Sequence, residues 1–158
     1  MAAIDVGNAA VNRNSYINQG NTNVDSTHSA NASGTITSVE IYATTAMNGV
    51  SVGIFSAVGN ALTTRAYVSI GNIAQYKTTH SVNLEIEEGD YIGIYWTSGT
   101  MENETSVINT GRWYYPGNVI NSTGRTFSIS ANKIMSIQGF GSTSAGVGGV
   151  TLMMGANF

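Results

Sequence analysis

The chain reads as an all-β protein, an antiparallel sandwich of about nine or ten strands with jelly-roll or Greek-key connections. Three features predict it. Apolar and polar residues alternate in window after window, which is the period of a half-buried strand. Strong helix formers such as Leu, Lys, Glu and Gln are scarce, and Gly, Asn or Ser interrupts almost every stretch long enough for a helix. Dipeptides suited to left-handed backbone fall between the alternating runs.

Taken in order, residues 3–6 are the first alternating run. Residues 18–31 are a long polar loop or a strand with weak signals. Runs 35–44 and 50–58 flank Asn48-Gly49, which predicts a type I′ hairpin because both central residues of that turn need positive φ. Gly59-Asn60 predicts a second hairpin into 62–70. Runs 81–86 and 91–97 flank Glu87-Glu88-Gly89-Asp90. Residues 112–115 end at the turn Pro116-Gly117, and 126–130 and 133–139 follow. The sandwich domain is expected over 1–141, with 142–158 a Gly/Ser-rich linker and apolar tail. In that tail 150–154 is either a last core strand or a segment that docks on a neighbouring subunit by strand addition. Leu152, Met153, Met154 and Phe158 would then make the contact.

Composition narrows the function classes. Of 158 residues only 9% are charged, 42% are hydrophobic, and the net charge is −3. Asn, Ser and Thr make up about a third of the chain. Disordered chains combine low hydrophobicity with high net charge, so an ordered protein with a polar, nearly uncharged surface is expected. Without cysteine there is no disulfide, thiolate nucleophile or thiolate metal site. Six basic residues, scattered singly, make no patch for nucleic acid. The first residues lack the basic and apolar regions of a secretion signal, and no apolar run reaches the ~18 residues of a spanning helix, so no membrane partner is expected.

Of the nine acidic residues, Glu85, Glu87, Glu88, Asp90, Glu102 and Glu104 share one window without Lys or Arg. Clustered carboxylates suit a hard cation, and a Ca²⁺ ion held by Asp90, Glu102 and Glu104 is one reading. The spacing does not match a Ca²⁺-binding loop. On a strand, Glu85 and Glu87 lie opposite Leu84 and Ile86, and Gly89-Asp90 supplies a corner, so a solvated hairpin turn is the other reading. His28 and His80 sit in Ser/Thr-rich surroundings with no G-x-S-x-G elbow, and no catalytic arrangement is expected. Trp113, Tyr114 and Tyr115 are candidates for a carbohydrate- or receptor-binding surface; alternation instead places Trp113 and Tyr115 on one face and Tyr114 on the other.

The stretch LEIEEGDYIGIYW resembles the paired strands around a Gly-Asp corner in trimeric jelly-roll domains of the C1q and tumour-necrosis-factor kind. With AIDVGNAAVNRNSYI and ITSVEIYATTAMNGVSVGIFSAVGNALTTR, it is similar to small β-sandwich structural proteins of tailed phages and environmental viruses. That resemblance implies a non-enzymatic virion component, a capsid decoration or a tail or fibre head. It would form a homo-oligomer, with a trimer expected, and sit on the virion surface after assembly in the host cytoplasm. An extracellular carbohydrate-binding module is the alternative. No cofactor is implied.

Overall fold

The structure, a computed structural model, describes residues 2–143. The strands are β1 (Ala3–Gly7), β2 (Ser15–Asn18), β3 (Asn21–Asp25), β4 (Gly34–Val58), β5 (Ala61–Ile73), β6 (Tyr76–Ile86), β7 (Tyr91–Tyr95), β8 (Ser98–Thr105), β9 (Gly111–Pro116), β10 (Arg125–Thr126), β11 (Ser128–Ala131), β12 (Lys133–Met135) and β13 (Ile137–Thr143). Every pairing among them is antiparallel. The hydrogen-bonded path runs from β1 to β11, which do not pair with each other, so the sheet is open and not a barrel. The all-β sandwich class is as the alternation predicts.

The organising element is β4. At 25 residues a straight strand would measure about 80 Å, too long for a domain whose expected radius of gyration is about 15 Å. It folds over instead. Its first half pairs with β13 and β6, its middle with β8, and its second half with β5 and β7. Consequently β6 ends at Ile86 opposite Gly34, while β7 begins at Tyr91 opposite Phe55. The short turn 87–90 therefore spans from one layer to the other. The bend lies where register shifts accumulate between Ala43 and Val50.

Two expectations change here. Asn48-Gly49 is not a hairpin: the strand continues through it, and left-handed Gly49 (φ +62°) serves a bulge between Met47 and Val50. A positive-φ glycine suits a bulge as well as a turn, and the strands that pair with the two halves of β4, β5 and β6, come later in the chain. Likewise Glu87–Asp90 is an arch between layers, not a hairpin, because β6 and β7 each pair with a different half of β4. The Gly59-Asn60 hairpin is as expected, joining the Val58–Ala61 pair. β13 continues through Thr143, past the expected boundary at 141. Residues 150–154 lie outside the described residues.

β2 and β8 carry too little apolar alternation to be read as strands, and β3 is the strand alternative left open for residues 18–31. β3, sequence NTNVD, is nonetheless interior, between β7 and β9. It keeps buried polar groups because they find partners: Thr22 Oγ1 donates to the Gly117 carbonyl at 2.8 Å, and Asn23 accepts from Arg112.

The main core lies between the layers. Ile36, Val39, Ile41 and Ala43 from one half of β4 meet Val50, Val52 and Ile54 from the other, with Ile92, Ile94, Trp96 and Met101. A second cluster of Val24, Phe55, Leu62, Trp113, Ile120 and Phe127 covers the opposite face of β4, β7 and β9, with 117–127 laid over it.

Candidate functional site

Four of the six acids in the window, Glu87, Asp90, Glu102 and Glu104, are divided between two arginines. Arg65 on β5 grips Asp90 with both Nε (2.5 Å to Oδ2) and Nη2 (3.1 Å to Oδ1), and its Nη1 reaches Glu87 at 3.1 Å. Asp90 is 3% exposed and also accepts the Glu87 amide at 2.9 Å, closing the arch. That hydrogen-bonded carboxylate holds the Arg65 guanidinium above its ordinary value. Glu102 and Glu104 sit apart from this pair and answer Arg13. Glu102 is buried and accepts the Arg13 amide and Thr44 Oγ1, each at 2.6 Å, while Glu104 takes Arg13 Nη1 at 3.0 Å. The rest of the Arg13 guanidinium is occupied, with Nε to Ser136 Oγ at 2.7 Å and Nη2 to the Ala9 carbonyl at 2.8 Å. Asp90, Glu102 and Glu104 are therefore not brought together. Among the described residues no three His, Cys, Asp or Glu side chains gather to hold a metal ion.

The consecutive aromatics do not form one surface. Trp113 is 6% exposed, stands edge-on to Tyr91 at 4.8 Å, and donates Nε1 to Asn60 at 2.9 Å. Tyr115 packs on the same second cluster, with Arg125 over its ring at 4.9 Å. Tyr114 projects to the other face, half-buried, with Arg112 over its ring at 5.5 Å. The oligomer-contact candidates Leu152, Met153, Met154 and Phe158 lie outside the described residues.

Elsewhere, at the end of β1, lies a cavity of about 410 Å³ bordered by Asp5, Asn8, Arg13, His28, Ile134 and Gln138 among others. A chain of side chains leads into it from the interior. Asp25, fully buried at the end of β3, accepts the His28 amide at 2.9 Å and Asn8 Nδ2 at 2.8 Å. Burial pushes the Asp25 carboxyl above its usual value, against the hydrogen bonds that pull it down. Asn8 also donates to the Met135 carbonyl at 3.4 Å and turns its Oδ1 to His28 Nδ1. His28 itself is exposed. Sequence reading passes over this group. The Asp25-to-His28 spacing is visible as an aspartate capping its own turn, but Asn8 joins from the segment just after β1 and leaves no local mark.

Compared with known proteins, the chain matches no family model, and no curated protein matches it.

Proposed function

We propose that this protein is a non-enzymatic assembly module, a virion component of the capsid-decoration or tail-fibre kind, which acts by homo-oligomerisation and surface complementarity. The observation that carries the reading is the outer edge of β5 and β6. Together they follow β4 over residues 34–43 and 47–58, and among the described residues their other side is covered only at the start of β5, where β10 pairs with Ala61 and Leu62 and the Thr64 amide donates to the Ser122 carbonyl at 2.8 Å. An open edge of that length is a template for another strand. Exposed Val58, Tyr67 and Tyr76 lie on or beside it. The low charge of the chain supports the same reading, since only 9% of its residues are charged and Asp90, Glu87 and Glu104 are paired with arginines, which lowers the cost of burying the surface.

Light scattering on the full chain tests this. A stable mass of two or more chains, with co-purification on a particle from the native source, is expected. A single-chain mass together with no particle would overturn it. Removing residues 146–158 asks separately whether the apolar tail makes the contact: loss of the oligomer assigns it there, and an unchanged mass assigns it to the described edge.

A further inference from the structure

We infer that the cavity at the end of β1 binds a divalent transition-metal ion, anchored by Nε2 of His28 with the Asp5 carboxylate as its anionic ligand. The inference is independent of the assembly reading and starts from hydrogen-bond polarity. Asn8 Nδ2 can only donate, and it faces Asp25 Oδ1 and the Met135 carbonyl. Its Oδ1, which can only accept, therefore faces the imidazole. His28 Nδ1 must therefore carry a proton, which makes Nε2 the ring nitrogen that can offer a lone pair to an ion. A histidine that ligates a metal is held in this way, one ring N–H on an acceptor and the other nitrogen on the ion. Here the acceptor is an amide oxygen, itself fixed by a buried carboxylate.

Charge points the same way. Among the described residues Arg13 is the one Lys or Arg on the cavity wall, and Glu104, Ser136 and the Ala9 carbonyl already occupy its guanidinium. Asp5 is exposed and has no ion pair among the described residues. Gln138 and Ser29 border the same space and add neutral oxygens. A lone-pair nitrogen, one carboxylate and amide or hydroxyl oxygens form a cation-accepting set. Imidazole favours zinc, nickel, cobalt or copper over calcium or magnesium, with water completing the shell.

A purely structural staple would account for less. Asp25 closes its turn through the backbone amide of residue 28 and reaches Asn8 directly. Neither contact needs an imidazole, and His28 is one of the residues that line the cavity.

The test is calorimetric titration of the untagged, chelator-stripped full chain with zinc sulfate. One ion per chain is expected. His28→Gln should weaken binding at least about 10-fold, and Asp5→Asn should weaken it by a smaller factor. His80→Gln, at the other histidine, should leave it unchanged. Both ligand positions are exposed, and matched thermal unfolding of the metal-free variants confirms that they fold. Long-range ¹H–¹⁵N correlation should move the Nε2 resonance of His28 and leave Nδ1 protonated. No binding tighter than about 1 mM, full affinity in His28→Gln, or zinc on Nδ1 would each overturn the assignment.

Discussion

At the scale of single residues, the cross-strand pair Gly53–Gly93 explains how a large ring fits on the second face of the sheet. A Cβ on Gly93 would come 2.7 Å from both Phe55 Cε1 and Val24 Cγ2, and one on Gly53 would come 3.0 Å from Phe55 Cε1. The Phe55 ring thus lies across two glycines and supplies the cover that their missing side chains would have given. Gly93→Ala should cost about 1–3 kcal/mol by overpacking, and Phe55→Ala about 3–5 kcal/mol by cavity formation. Because the methyl added at position 93 would occupy space vacated by the ring, the double variant should lose less than the sum, measurable as a coupling in urea denaturation. His80 is the second informative residue. Burial lowers its proton affinity in the fold, and its Nε2 meets Thr78 Oγ1 at 2.7 Å. As pH falls through the ordinary value of 6.5, the unfolded chain binds this proton before the folded one does. Stability must therefore fall on the acid side of 6.5. His80→Gln should flatten that part of the urea midpoint's dependence on pH and leave the midpoint at higher pH nearly unchanged.

At the scale of elements, the arch 87–90 is held by more than its turn. Its backbone closes through Asp90 N to the Glu87 carbonyl at 3.0 Å, and Ala30 exchanges bonds with Gly89 and Asp90 at 2.9 and 2.7 Å. Arg65 then ties the arch to β5. Asp90 is nearly sealed from water, whereas the Glu87 side chain is 60% exposed. Arg65→Met should cost about 2–3 kcal/mol, since it leaves a buried carboxylate unpaired while the lost arginine was itself partly solvated. Glu87→Gln should change stability by less than about 0.5 kcal/mol, and chemical denaturation separates the two. The strand on each side of this arch was legible from alternation alone. Which strands they pair with was not, because β6 and β7 find opposite halves of β4, whose continuity depends on β5 and β6.

At the scale of the whole molecule, β4 contributes to both hydrophobic clusters, with Ile54 in the first and adjacent Phe55 in the second. A strand shared between two cores couples them, so the domain should unfold in one transition. Trp96 reports on the first cluster and Trp113 on the second. Single-tryptophan variants, Trp113→Phe and Trp96→Phe, should each show a fluorescence midpoint that coincides with the circular-dichroism midpoint of the same variant. Separate midpoints within one variant would show that the clusters melt independently.

The sequence by itself determined the all-β class, the Gly59-Asn60 hairpin, and the faces of Trp113 and Tyr115 against Tyr114, because alternation and turn chemistry are local. Tertiary structure alone decided four things. It made Asn48-Gly49 a bulge inside one long strand, it buried the polar strand β3, and it divided four acids of the window between Arg13 and Arg65. It also joined Asn8, Asp25 and His28 behind one cavity. The physical reason is the same throughout. A polar side chain's role depends on which partner reaches it, and here the partners come from strands far away in the chain.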